Sequence, residues 1–361
     1  MTRLHNIVHA LAYLLLVVSR TSAQEVPRFV LQVSKELPVA GLSASPTLEP
    51  IKCDTRGNMY VRFFQVPAYT SPIVKISSEG ERKASFSLEK VPQWEKGQFT
   101  SFEVGHDGMV YLLAVRPAKG RTLEHAVVVF NEEGQHRFTI PLKFPFRMDS
   151  LDHIAVLPRG EILLVGFREL ESGGRQSVPT DSGETRQPDV EPILGIFDRN
   201  GALITEATVS FGSAAPTSRS ASFRRLLPMP AIHGASLVIH EDGNLYAMFR
   251  REEPQIHVIS SDGAEVRSFG VKPPTEESEA IDLAVAAGAG LIVFFAEKGE
   301  RTAYPANKMT FSLVNPQTGE RIYDYQSNPR LGGALGCYDR GSFLFLSSSQ
   351  GKLAVVRANP K

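Results

Sequence analysis

The chain has 361 residues, with 39 Lys and Arg against 39 Asp and Glu, and 42% of it is apolar. That balance leaves no basic footprint for nucleic acid or for an anionic membrane surface. The apolar fraction supports a sizeable core, and 21 Phe with 9 Tyr favour sheets over helices.

Residues 1–23 read as a secretory signal. Arg3, His5 and His9 make a weakly basic start, Ala10 to Val18 an apolar stretch, and Thr21-Ser22-Ala23 a small-residue cleavage point before Gln24. The apolar run is about a dozen residues, short of the roughly 18 that a membrane span needs. No Cys follows it, which argues against a lipoprotein anchor. The expectation is an exported protein, periplasmic or extracellular, with no membrane span after signal removal. Loss of Arg3 and Arg20 with the signal leaves 37 basic against 39 acidic side chains in residues 24–361.

Next comes an isolated strand, Arg28–Ser34. A phrase then recurs along the chain: apolar residues at alternate positions, a polar turn with glycine, and a second apolar strand. Its copies run from Ile51 and Cys53 through Gly57 to Tyr60, from Phe102 and Val104 through Gly108 to Tyr111, from Ile154 and Val156 through Gly160 to Leu163, and from Leu237 and Ile239 through Gly243 to Tyr246. Weaker copies run from Leu283 and Val285 to Ile292, and from Leu335 and Cys337 to Leu344. After each of the first five copies a second strand pair flanks another turn, at Gly80, Gly134, Gly201, Gly263 and Gly319. Asp-Gly and Asn-Gly between apolar runs signal tight hairpins. Each unit therefore reads as a four-stranded antiparallel meander that cannot bury its own faces and must stack on its neighbours.

The marker spacing is 51 residues from Tyr60 to Tyr111, 52 on to Leu163 and 83 on to Tyr246, so one unit carries an insertion. The sixth unit is one strand short. The economical inference is that Arg28–Ser34 supplies its outer strand, closing a six-bladed β-propeller over residues 24–361 with short, protected edges.

Cys53 and Cys337 occupy the same slot of the repeat, filled elsewhere by Val104, Val156, Ile239 and Val285. Compartment and even number favour a disulfide. The slot is a buried strand position, and packed sheets lie ~10 Å apart, beyond the reach of a disulfide. The expectation is two free, buried thiols.

The segment Asp242-Gly243-Asn244-Leu245-Tyr246, with Ile256–Ser261 leading to Asp262-Gly263, resembles the repeats of the NHL-like six-bladed β-propellers. The resemblance covers residues 28–358. It implies the architecture and places ligands on the face opposite the glycine turns. Lactonases, lyases and interaction modules share this shape, so the resemblance selects no activity.

Asp107, Asp242 and Asp262 are read as turn formers, and His106 and His240, in the same turns, as solvated. On the opposite face, strands of successive units end in Arg116, Arg168 and the pair Arg250-Arg251, at equivalent positions within one residue. Two readings stand for these arginines. One is an arc that grips carboxylate or sulfate through planar guanidinium forks. The other is a solvated rim paired with Glu169, Glu252 and Glu253. Around the axis, Asp152, His153 and Asp282, with Ser101, Ser236 and Glu49, form a candidate ligand-binding set. No cofactor is expected from it, although two or three carboxylates and an imidazole are chemistry that could take Ca²⁺ or another divalent cation. Two long loops, 169–192 and 210–233, meet over the third and fourth units, the second ending in the apolar and basic Phe223–Pro230.

The leading functional expectation is an exported module that binds a protein, a glycan or a small anionic ligand through that face. The alternative is a metal-assisted hydrolase or lyase with its site at the central channel mouth.

Overall fold

Eight of the described glycine turns close in one way. At Asp54–Asn58, Gly105–Met109, Leu157–Glu161 and His240–Asn244 the first N–H donates to the fifth carbonyl, and the glycine N–H donates to the first carbonyl. Ser77–Glu81, Asn131–Gln135, Asp198–Ala202 and Ser260–Ala264 repeat the pattern. Gly201 shows why the turn demands glycine. Its φ is +77°, and an added Cβ would stand 2.0 Å from the carbonyl oxygen of Pro141.

The computed structural model describes residues 25–43, 51–63, 71–118, 123–169, 190–206, 237–249, 254–297, 309–328, 331, 333–339, 341–349 and 352–361. The fold is all-β, a propeller-like arrangement of antiparallel meanders. Strand β1 (Arg28–Ser43) comes first. One sheet holds β2 (Lys52–Cys53), β3 (Met59–Arg62), β4 (Ile73–Ile76) and β5 (Arg82–Phe86). The next holds β6 (Gln98–Val104), β7 (Val110–Pro117), β8 (Leu123–Phe130) and β9 (His136–Pro141). A third holds β10 (Met148–Val156), β11 (Ile162–Glu169), β12 (Val190–Phe197) and β13 (Leu203–Glu206). A fourth holds β14 (Leu237–Ile239), β15 (Leu245–Phe249), β16 (Gln255–Ile259) and β17 (Glu265–Gly270).

The remaining strands are β18 (Ser278–Ala286), β19 (Gly290–Glu297), β20 (Thr310–Val314), β21 (Arg321–Gln326), β22 (Gly333–Asp339), β23 (Ser342–Ser349) and β24 (Lys352–Pro360). With β1 they form one eight-stranded sheet, ordered β18-β19-β20-β21-β1-β24-β23-β22. This differs from six separate sheets, and β1 is the reason. From Leu31 to Ser43 it runs antiparallel to β24, as the missing outer strand requires. Its first residues, Arg28–Val30, also pair in parallel with Asp324–Gln326 of β21 and join the two meanders. Asp324, 1% exposed, anchors that junction, accepting from Ser312 Oγ at 2.7 Å and from Arg321.

Apolar side chains fill the spaces between sheets. In β8, Val128 packs with Tyr60, Ile73 and Phe86 of the preceding sheet, while Val127 and Val129 pack with Ile154 and Leu164 of the following one. A strand buried on both faces carries an unbroken apolar run. Each such valine contributes roughly 1.5–3 kcal/mol through burial. The same layering continues around the molecule and returns to its start, where Leu344, Leu353 and Val355 pack on Val61, Val74 and Ile76. The first strands line the axis in order: β2 against β6, β6 against β10, β10 against β14, β14 against β18, β18 against β22 and β22 against β2.

This convergence corrects the reading of the cysteines. Cys53 and Cys337 form a disulfide, with Cα atoms 5.9 Å apart. Spacing of ~10 Å applies to packed sheet faces, but radial sheets approach one another at the axis, where these cysteines sit. Among the described residues, no helix is long and apolar enough to cross a membrane.

Candidate functional site

The two ends of the wheel differ in how they are built. Glycine turns gather at one end, where Arg56 of one sheet pairs with Glu132 of the next and Lys75 reaches Glu132 at 3.3 Å. Farther round, Glu241 accepts the N–H of Gly288 at 2.9 Å. The turn aspartates are structural. Asp54, Asp107 and Asp242 accept the hydroxyls of Tyr60, Tyr111 and Tyr246 at 3.2, 2.9 and 2.8 Å. Burial and then the neighbouring carboxylate push all three phenols above their ordinary range. Asp262 accepts from Ser260 and from the Ala264 N–H. His106 is exposed as expected. His240 is not solvated: its side chain is 13% exposed, with Nδ1 3.4 Å from Asp242 and its ring 5.2 Å from that of Tyr246.

At the opposite end lie the strand ends that flank the long connections, among them Glu169, Val190, Glu206 and Leu237. Arg116, at the end of β7, lies over the Trp94 ring at 4.7 Å and pairs with Glu124 at 2.6 Å. Arg168, the equivalent residue of β11, lies over the Phe146 ring at 5.0 Å and pairs with Glu206 at 2.7 Å. Both arginine side chains are 26% exposed. The carboxylate partners therefore differ from the expected Glu169, which stands 3.5 Å from Arg147 instead. Glu124 stands directly opposite Arg116 on the neighbouring strand β8, whereas Glu206 reaches Arg168 from β13, two strands away across β12. Arg250, Arg251, Glu252 and Glu253 lie outside the described residues, as do Glu49, Ser236, Phe223–Pro230 and most of loops 169–192 and 210–233.

Asp152 and His153 lie in β10 at a bulge between Leu151 and His153. The Asp152 carboxylate accepts from Ser150 Oγ at 3.5 Å. Asp282, in β18 just after a comparable register shift, accepts the N–H of Leu283 at 2.8 Å. Ser101 is buried in β6. Among the described residues no three His, Cys, Asp or Glu side chains come together as a metal-ligating group, so Asp152, His153 and Asp282 are not brought to one point as such a set.

One feature escaped the sequence reading. At the turn end, the axis holds a partly open cavity of about 400 Å³ lined by the first strands of the sheets and by turn residues, among them Asp54, Arg56, His106, Asp107 and Glu241. Val104, Val156, Ile239 and Val285 line it, together with the disulfide. Lys52 and Glu103, each one residue before that slot, form an ion pair across adjacent strands at 3.1 Å, with side chains 19% and 12% exposed. Opposite charges at equivalent positions in successive copies were the available signal.

No family model and no curated protein matches this chain. Among solved structures it is similar to a Dyadobacter fermentans protein of unknown function (11% identity, 92% of this chain and 99% of that one, TM-score 0.50). It is also similar to a protein assigned as a gluconolactonase (13% identity, 92% and 99%, TM-score 0.47) and to virginiamycin B lyase from Staphylococcus aureus (16% identity, 91% and 99%, TM-score 0.44). At these identities the likeness bears on the fold alone, and the fold is the propeller-like arrangement of sheets described above.

Proposed function

We propose that the protein is an exported six-bladed β-propeller of the NHL-like group that acts as a binding module for a polyanionic partner through its loop-bearing end. The count of six is supported by the short parallel contact of Arg28–Val30 with β21, which divides the eight-stranded sheet into two four-stranded meanders like the other four. Export is supported by the leader pattern of residues 1–23 and by the Cys53–Cys337 disulfide, a bond characteristic of oxidising compartments.

The observation that carries the binding reading is the repeated construction around Arg116 and Arg168. Each guanidinium is held against an aromatic ring, which fixes its plane before a ligand arrives. Each is held by a glutamate more exposed than itself, 50% for Glu124 and 40% for Glu206. Such surface pairs contribute only about 0–1 kcal/mol, so a sulfate or carboxylate can displace the glutamate at small cost. In the sequence, Arg250 holds the equivalent place in the next copy of the repeat. Asp152, His153 and Asp282 line the same half of the first strands and are assigned here to polar ligand contacts. No observation favours the metal-assisted hydrolase or lyase.

The test is titration with dextran sulfate at low and high salt. Binding that weakens with salt and falls at least about tenfold in R116A/R168A/R250A supports the proposal. Equal binding by the triple variant, or no binding, refutes it.

A further inference from the structure

We infer that the axial cavity at the turn end is a second binding site, for a small neutral molecule with an apolar body and one hydrogen-bond-accepting oxygen. Its volume of about 400 Å³ falls within the roughly 300–1,000 Å³ typical of small-molecule sites. Its wall is built in two rings. The slot of Cys53 and its equivalents is apolar in every copy, and Val104, Ile239 and Val285 are only half-buried because they face the cavity. A passage serving only water has no use for such a wall, because apolar surface left against water is unfavourable.

The adjoining ring is polar at one sector alone. It holds Lys52 and Glu103 side by side, then Val238, Ala284 and Gly336, while the equivalent Ala155 is buried in the core between sheets. Glu103 is fully engaged, with Oε1 accepting the Val104 N–H at 2.9 Å and Oε2 accepting Lys52 Nζ at 3.1 Å. The Lys52 ammonium has three N–H groups, and among the described residues it donates to Glu103 alone. The chamber is apolar along Val104, Val156, Ile239, Leu283 and Val285 and polar toward the turns, where Asp54, Arg56, His106, Asp107 and Glu241 line it. A largely buried ammonium with donors to spare beside the apolar part selects an acceptor from the ligand. Glu103 decides the ligand's charge. It already neutralises Lys52, and a second carboxylate brought to the same ammonium would face it across a few ångströms. A ketone, ester, ether or alcohol oxygen meets no such repulsion.

The probes are 2-octanone, octanoate and octylamine, titrated calorimetrically into the full chain. The expected result is saturable binding of one 2-octanone per chain, at least about tenfold tighter than either charged analogue. Two variants with native melting curves complete the test. A284F, which fills the cavity from β18, abolishes 2-octanone binding. K52M/E103Q, which removes the donor without stranding its partner, weakens it about tenfold. Dextran sulfate binding is unchanged in both. No saturable binding of 2-octanone, octanoate tighter than the ketone, or full affinity in A284F each overturns the inference.

Discussion

Removing the Cys53–Cys337 bridge by the double substitution C53A/C337A tests how the ring is held closed. The cysteines are 284 residues apart in sequence, so the bond constrains almost the whole unfolded chain. In the chain-entropy account a loop of that length corresponds to about 5–6 kcal/mol at 25 °C, a ceiling that measured values usually fall below. With an unfolding entropy of roughly 0.7 kcal/mol/K for a chain of this size, a loss between about 2 and 6 kcal/mol lowers Tm by about 3–9 °C. The native strand pairing of β1 with β24 remains in place and keeps the fold intact. Calorimetry of the variant, and of the unmodified protein with and without dithiothreitol, reads the effect. Reductant and substitution should give the same shift, with far-UV circular dichroism unchanged at 20 °C. An unchanged midpoint, with both thiols open to alkylation in non-reducing denaturant, refutes the reasoning.

Three further outcomes follow from local geometry. Tyr246→Phe removes a hydroxyl that donates to Asp242 at 2.8 Å and accepts from Arg267 at 2.7 Å, and should cost about 1–2 kcal/mol in urea denaturation, with no loss of sheet content. Gly201→Ala combines a φ of +77° with a Cβ 2.0 Å from the Pro141 carbonyl, whereas Gly341→Ala at φ +84° has nothing within 4 Å. The first should lower Tm well beyond the second, which bears only the roughly 1 kcal/mol conformational cost. His125 packs edge-on to Phe144 at 5.9 Å, and burial lowers its pKa below the ordinary value. Its neutral form is therefore favoured by folding. Its contribution is complete above an unfolded pKa near about 6.5 and is lost as pH falls through that value toward the lower folded one. Denaturant midpoints between pH 8 and 5 should decline less steeply in H125F, and identical slopes would count against this.

Much of the architecture was legible because its instructions are local. Glycine at the positive-φ position of each turn, apolar alternation and the spacing between Tyr60, Tyr111 and Leu163 specify meanders before any long-range contact exists. The spare strand at Arg28–Ser34 pointed to a partner near the C-terminus, and β1 does pair with β24. Turn aspartates were also readable, since Asp107 and Asp242 act within a few residues of themselves. The repeat placed Arg116 and Arg168 at equivalent positions, but not their partners. Glu124 and Glu206 reach them across strands, and such pairings depend on register and twist rather than on neighbouring sequence.

The amino-acid order by itself determined the unit, its repetition and the sorting of short turns and long connections to opposite ends, because each follows from backbone preferences within about ten residues. Only the tertiary structure decided the Cys53–Cys337 bond, the joining of two meanders through Arg28–Val30, and the chamber that holds Lys52 beside Glu103. Those features exist because radial sheets converge on an axis. That convergence brings side chains from separate repeats within a few ångströms, at distances no single repeat encodes.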